Sequence, residues 1–280
     1  MKIKILSDST CDLPQSIVDA YDITITPLTI IKAGEDFKDG VTITPAEIFA
    51  HVAGGGELCS TSAVSVGEYQ DYFSTYADHY DGIIQVCIGS GFSASYQNAC
   101  LAAQDFPNVR VIDSLNITLG QGFIAMKAWE LAKTASSLDT LADALREYAN
   151  HIETSFVVDK LDYLVKGGRC SSAAALGANL LSLKPCIEVR DNKMTVVKKY
   201  RGNFTKCMTA YVRDRLLDRE DLDPAAIFVV KTVVPEDTYG AVMQTVRDCG
   251  IFAEIKEAIA GCTISCHCGP GTLGIIFVRK

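Results

Sequence analysis

Residues 85–99 read QVCIGSGFSASYQNA: an apolar run that breaks into Gly89-Ser90-Gly91 and then into helix-forming residues. With the three residues before it, GII, this run is long and apolar enough for a strand buried on both faces. A buried strand that turns on glycines into a helix is one unit of a parallel α/β sheet. Such a turn aims free backbone N–H groups and the positive end of a helix at one point, so its expected guest is an anion.

Neighbouring segments repeat the pattern. KIKIL (2–6) and VRVID (109–113) read as further buried strands, each followed by a turn and a helical stretch. Thr44-Pro45-Ala46-Glu47 and Ser65-Val66-Gly67-Glu68 have capping-box spacing, the first with proline at the first helical position. The amphipathic stretch DTLADALREYANHI (139–152) closes this half. From about residue 154 the pattern changes. KPCIEVRDNKMTVVKKY (184–200) reads as a hairpin about Asp191-Asn192, FTKCMTAYVRDRLL and TYGAVMQTVRDC as helices, and AIFVVKTVV, FAEIKEA and LGIIFVR as strands. The expectation is a two-domain α/β protein. Residues 1–153 form a domain on a parallel sheet, and 154–280 an α+β domain on a largely antiparallel one.

The 280 residues exceed the roughly 250 at which one core tends to split. A net charge of −8 argues against nucleic acid or an anionic membrane surface as the main partner. The N-terminal apolar run is too short for a signal-peptide core, and the longest apolar runs fall well below the roughly 18 residues that span a bilayer. The expected compartment is the cytoplasm, where the odd count of 11 cysteines reads as reduced thiols.

Four local patterns bear on chemistry. Gly89, Gly91 and Ala94 fit G-x-G-x-x-A, with Asp113 about 20 residues on, as in a dinucleotide-binding turn. Gly91-Phe92-Ser93-Ala94-Ser95 also resembles a nucleophile elbow, with His267 late in the chain as a hydrolase base would be. On a purely structural reading Ser93 caps the following helix. CTISCHCGPG (262–271) sets Cys262, Cys266 and Cys268 around His267, a soft donor set that suits zinc. The remaining histidines stand apart at 51, 79 and 151, and no paired C-x-x-C accompanies the cluster, so no metal is expected and Cys266 and Cys268 are read as small packed hydrophobes. Asp8, Ser9, Thr10 and Asp12 are expected to close a strand-to-helix turn before Pro14. No G-x-x-x-x-G-K-[ST] occurs, so nucleotide chemistry would come from a partner.

Five segments, in order, resemble the DegV family of bacterial fatty-acid-binding proteins: DSTCDL (8–13), TSAVSVGEY (61–69), SGFSASYQNA (90–99), LDYLVKGGR (161–169) and HCGPGTLG (267–274). The resemblance spans nearly the whole chain. It implies two α/β domains and a buried fatty acid, roughly C16–C18, as ligand, with no cofactor and no catalytic residue. Thr61, Ser93 and His267 would surround the carboxylate. Ser62, Arg169, Arg201, Gly269 and Gly271 would support the site or face a separate ATP-dependent fatty acid kinase. The acyl phosphate would go toward phospholipid synthesis, with transient acyltransferase or membrane contact. Two residues depart from the family pattern: Val64 stands where proline is frequent, and Ala94 where glycine is usual.

Overall fold

The computed structural model describes residues 1–174 and 183–280. The first half runs β1 (Ile3–Asp8), α1 (Gln15–Ala20), β2 (Ile23–Thr26), β3 (Thr29–Lys32), β4 (Glu35–Lys38), α2 (Pro45–Ala53) and β5 (Ser60–Ser62). It continues with α3 (Val66–Ala77), β6 (Gly82–Cys87), α4 (Ser95–Ala102), β7 (Val109–Asp113), α5 (Leu119–Ala132) and α6 (Leu138–Ala149). The second half runs β8 (Ile152–Val158), α7 (Asp162–Gly167), α8 (Ser171–Ala174), β9 (Leu183–Arg190), β10 (Lys193–Arg201) and α9 (Phe204–Leu216). It ends with β11 (Leu222–Lys231), α10 (Glu236–Cys249), β12 (Glu254–Ile259), α11 (Cys262–Cys268) and β13 (Thr272–Arg279).

Strand β6 is buried at every position, as its unbroken apolar run requires, and lies inside a parallel sheet of order β2-β1-β6-β7. Strand order reverses between β1 and β6, because β1 leads to a neighbour on one side and β6 to a neighbour on the other. A crevice opens beyond the carboxyl ends of such a pair, and ligands of open α/β sheets bind there. The second sheet, β10-β9-β8-β13-β11-β12, is antiparallel except for the β11–β12 pair. A small antiparallel sheet, β4-β3-β5, adds a wall beside the crevice that the sequence pattern did not foreshadow.

The chain passes from the first large sheet to the second in the turn after α6, so Ile152 and Glu153 already pair with β13. The largest apolar cluster joins Ile5, Ile84 and Ile112 of the parallel sheet to Phe156, Phe228 and Ile276 of the antiparallel one. Helix α5, buried along most of its length, lies between them, and its Phe123 meets Phe228 edge-on at 5.0 Å. The two sheets therefore share a core.

Local signals in the sequence appear where expected. Both capping boxes form, with Glu47 and Glu68 reaching back to the N-cap N–H groups of Thr44 and Ser65. The β9–β10 hairpin turns at Asp191 and Asn192, both at positive φ. The 8–12 segment is structural. Burial pushes the Asp8 carboxyl above the usual carboxylate range; it accepts N–H bonds from Thr10 at 3.1 Å and Ile88 at 2.8 Å, and the Gln121 amide at 2.9 Å. Asp12 accepts the Thr118 hydroxyl at 2.7 Å and the Gly261 N–H at 2.9 Å, tying β1 to the far end of the chain.

Helix α11 depends on one more buried carboxylate. Asp39 accepts the N–H groups of Cys262 and Thr263 at 2.9 and 3.1 Å, the Thr263 hydroxyl at 2.7 Å and the Ser9 hydroxyl at 2.9 Å. It thereby caps a helix that lies over 220 residues away in sequence. Asp39→Ala strands these donors in a buried place, and we expect a loss of about 3 kcal/mol. In urea unfolding the midpoint should fall with an unchanged slope; an unchanged midpoint would show that the cap contributes nothing.

Candidate ligand cavity

A cavity of about 430 Å³ lies beyond the carboxyl end of β6, beside the small β4-β3-β5 sheet. Its size falls in the range of roughly 300–1,000 Å³ found for small-molecule sites. Three parts of the chain build it. The β6–α4 turn contributes Ile88, Phe92, Ser93 and Ala94; β5 and the residues after it contribute Thr61, Ser62, Ala63 and Ser65; and α11 contributes Thr263, Ile264, His267 and Cys268. Leu28, Ile117 and Met194 extend the apolar wall, while Asn98 and Arg169 complete the lining. The surface is mostly apolar, and the hydroxyls of Thr61, Ser62, Ser65, Ser93 and Thr263 and the His267 imidazole are also part of it.

The polar lining is ordered by a few bonds. His267 Nε2 lies 2.9 Å from Thr61 Oγ1. Among the described residues, His267 Nδ1 is buried without a partner. A proton on Nδ1 would be a buried donor with no acceptor, whereas a proton on Nε2 is donated to Thr61 Oγ1, so the second tautomer is favoured. Thr61 is then free to donate its own hydroxyl proton into the cavity. Burial, together with the positive charge of Arg169, lowers the His267 pKa from its ordinary 6.5 to about 4. The imidazole is neutral near pH 7. Gly167 leaves room for the ring: a Cβ there would stand 2.6 Å from Nδ1.

Ser93 Oγ lies 3.0 Å from Ser95 Oγ and accepts the Ser95 N–H at 3.2 Å, so its hydroxyl serves the first residue of α4 as well as facing the cavity. The N-cap position itself belongs to Ala94, whose φ of −75° and ψ of −4° any L-residue adopts, so alanine in place of glycine strains nothing there. Val64 is buried in the core beneath α3 and α4, and its carbonyl accepts the Asn98 amide at 2.8 Å. That bond holds the 61–65 segment against α4 without a proline. The exposed Arg169 closes the mouth, donating to the carbonyls of Gly167 at 2.8 Å and Phe92 at 3.4 Å.

The structure brings together Thr61, Ser62, Ser93, Arg169 and His267 from the residues singled out in sequence. Gly269 and Gly271 stand behind α11, both at positive φ; a Cβ on Gly269 would overlap Tyr163 and one on Gly271 would overlap Asp159. They shape the turn from α11 into β13 and do not line the cavity. Arg201 is exposed at the end of β10, paired with Leu183, and also lies outside the lining. Asn98, Met194 and the α11 residues Thr263, Ile264 and Cys268 went unrecognised. Asn98 had a signal: it sits in the quoted stretch, five residues beyond Ser93. Met194 had none, because only the tertiary docking of the hairpin brings it there.

Two alternative chemistries are not assembled. The space beside Gly89 and Gly91 that phosphates would need is filled by the β9–β10 turn: a Cβ on Gly91 would lie 2.0 Å from the Asn192 carbonyl oxygen, and one on Gly89 2.3 Å from the Asn192 side chain. The Asp113 carboxylate that would face a ribose instead accepts the N–H groups of Ser90 and Leu115 and the Asn192 amide. For a hydrolase, the imidazole would have to bond Ser93 and be oriented by a carboxylate; His267 instead bonds Thr61, and its other nitrogen has no partner among the described residues. The cysteines of α11 point into separate clusters, Cys262 and Cys266 beside Ile30 and Ile48, and Cys268 into the large core. Among the described residues, no group of three or more histidine, cysteine or acidic side chains is placed to hold a metal ion.

These features define an α/β protein on two large sheets and one small one, with a largely apolar cavity beyond the carboxyl end of β6 that is also lined by hydroxyls and an imidazole. The chain belongs to the DegV family: the family described as "Uncharacterised protein, DegV family" matches residues 2–280. A DegV domain-containing protein of Clostridium perfringens is 31% identical over all of this chain and 99% of its own. Among solved structures, a fatty-acid-binding DegV family protein of Thermus thermophilus aligns over 100% of both chains with a TM-score of 0.89 and 29% identity. A stearic acid-binding protein of Eubacterium ventriosum aligns over 99% of this chain and 98% of its own, with a TM-score of 0.85 and 25% identity.

The depressed His267 value has a measurable sign. Between its ordinary 6.5 and about 4 the unfolded chain binds the proton and the folded chain does not, so this contribution to stability is full above 6.5 and is lost as pH falls toward 4. His267→Asn should lack this loss. The difference between the two proteins isolates it from Asp8 and Asp12, whose raised values act in the opposite sense. An NMR titration midpoint for His267 near 6.5 would refute the buried neutral imidazole.

Proposed function

We propose that this protein is a non-catalytic carrier that binds one long-chain free fatty acid in the cavity, with the carboxylate toward Thr61, Ser93 and His267. The observation that carries this reading is the joining, in one cavity, of an apolar wall with a cluster of neutral donors. Burying the tail at about 0.8 kcal/mol per CH₂ yields on the order of 10 kcal/mol for a C16–C18 chain before ordering costs. A carboxylate leaving water costs several kcal/mol unless hydrogen bonds replace hydration. Thr61, relayed from His267, and Ser93 offer those bonds. They orient the ligand, and the tail supplies most of the affinity.

In this reading the carboxylate stays near the mouth, beside Arg169, where a separate ATP-dependent fatty acid kinase reaches it. The acyl phosphate then passes toward phospholipid synthesis through brief acyltransferase or membrane contact, in the cytoplasm. Phosphoryl transfer is assigned to the partner because the sequence has no phosphate-binding P-loop motif and the glycine turn that might have served is packed against Asn192. Fatty-acid binding by the Thermus protein and stearic acid binding by the Eubacterium protein support the ligand class.

Native mass spectrometry tests the reading directly: purified or lipid-loaded protein should carry one fatty acid, and failure of delipidated protein to take one up refutes it. Ser93→Ala should impair kinase-coupled phosphorylation more than ligand retention, because it removes an orienting bond and leaves the tail contacts intact. Equal loss in both assays would contradict that division.

A further inference from the structure

A groove of about 680 Å³, larger than the ligand cavity and sharing no lining residue with it, opens where the two halves of the chain meet. Pro14, Val18 and Ile25 come to it from α1 and β2, and Glu257, Ala258 and Ile259 from β12. Asp12, Asp39 and Gly261, the groups that seat α11, line it as well. Their bonds are already made, so this part of the groove is set before any guest arrives.

Three features bear on what fits there. Val41 and Ile259, both in the lining, are 71% and 66% exposed, more than any other large apolar side chain among the described residues. Apolar groups left in water together at one groove mark an interaction site. Strand β12 is the last of its sheet and, among the described residues, pairs only with β11. The Ala260 N–H bonds the Lys231 carbonyl at 2.9 Å, and backbone groups alternate in direction along a strand, so those of Glu257 and Ile259 point to the open edge. The charge of the lining is negative. Asp39 and Glu257 bring carboxylates, whereas the lining cation Lys231 already pairs with Glu236 at 3.2 Å and lies 3.6 Å over the Tyr239 ring.

We propose that this groove docks an extended segment of a partner protein, added as a strand to the outer edge of β12, with a lysine or arginine two residues from a branched aliphatic side chain. The spacing follows from β12 itself. Glu257 and Ile259 share one face of the strand, so the residues opposite them in an added strand also stand two apart. The aliphatic side chain meets Ile259 and Val41, and the cation meets Glu257. Backbone bonds to the edge hold the segment and the two side chains select it. The same charge disfavours an anionic lipid surface, and an isologous pair of copies would lay the acidic groove against itself. The inference is independent of the carrier reading.

The test titrates the isotope-labelled full chain with the acetylated, amidated heptapeptide Thr-Lys-Thr-Val-Thr-Lys-Thr, whose lysines flank valine at the required spacing in either strand direction. NMR shifts should concentrate at the amides of Glu257 and Ile259 and the methyls of Val41 and Ile259. The peptide with glutamate in place of both lysines should bind more weakly. Ile259→Ser should weaken binding at least about tenfold, and Glu257→Gln by up to about fivefold. Val41→Ser, at the most exposed apolar position, keeps the test open if Ile259→Ser fails to fold. No shift in the groove, or equal shifts from both peptides, would overturn the proposal. So would the same shifts from free lysine amide at equal concentration, which would make the guest a small cation, or a dimer in sedimentation that Ile259→Ser abolishes, which would make it a second copy.

Discussion

The position of α11 is the constraint on which the site depends, and it is fixed by buried carboxylates from the other end of the chain. Asp39 receives two backbone N–H groups and a hydroxyl from the first turn of the helix, and Asp12 receives the N–H of the residue just before it. A buried carboxylate without such partners costs several kcal/mol, so these acids and the start of α11 hold each other in place. Everything α11 brings to the cavity follows from that anchorage. His267 reaches Thr61 on the small sheet, and Ile264 and Cys268 join the apolar lining. The DSTCDL motif thus serves the ligand site although Thr10 and Asp12 do not line it.

A similar dependence explains the glycine turn. Gly89 and Gly91 carry no side chain because the Asp191-Asn192 hairpin tip presses against them, and Asn192 reaches across to Ser90 and Asp113. The strand-Gly-x-Gly-helix pattern is locally the same whether the glycines admit a phosphate or another part of the chain. What separates the two cases is a contact over 100 residues away in sequence. The resulting close approach docks the second sheet on the first and carries Met194 to the cavity rim.

Much of the architecture was readable from short-range pattern alone. The buried runs of β1, β6 and β7 and the capping boxes of α2 and α3 are local and strong, as is the change to hairpins after α6. The small sheet was not readable, because β4 is EDFK and β5 only three residues, neither with a repeating apolar face. Helix α11 was hidden for a different reason: it has seven residues, almost all buried, and so has no polar face to mark its period. Its cysteines looked like a metal cluster in one dimension. Helical spacing instead sends Cys262 and Cys266 to one side and Cys268 to the other. The place of Ser93 in the cavity lining follows from its turn, whereas Thr61 is pointed to only by the family resemblance, since nothing in STS distinguishes a cavity-lining hydroxyl from a surface one.

The electrostatic choice at the head-group end bears on what the cavity can do with a carboxylate. A permanently charged partner deep in the site would hold an anion firmly and draw electron density from the oxygen that must attack a phosphoryl group. Here the buried imidazole is kept neutral by its own burial and by Arg169, and the charged guanidinium stays at the exposed mouth. The donors offered to a carboxylate there are therefore hydroxyls rather than a buried cation, and the charge that strengthens those bonds is the carboxylate's own. For a carrier this balance is favourable. In the proposed carrier the apolar wall would retain the tail, leaving the head group to be oriented by hydroxyls alone. If retention and orientation rest on different residues, as the proposed carrier requires, conversion of the carboxylate to an acyl phosphate would change the contacts at Thr61 and Ser93 without first freeing the tail.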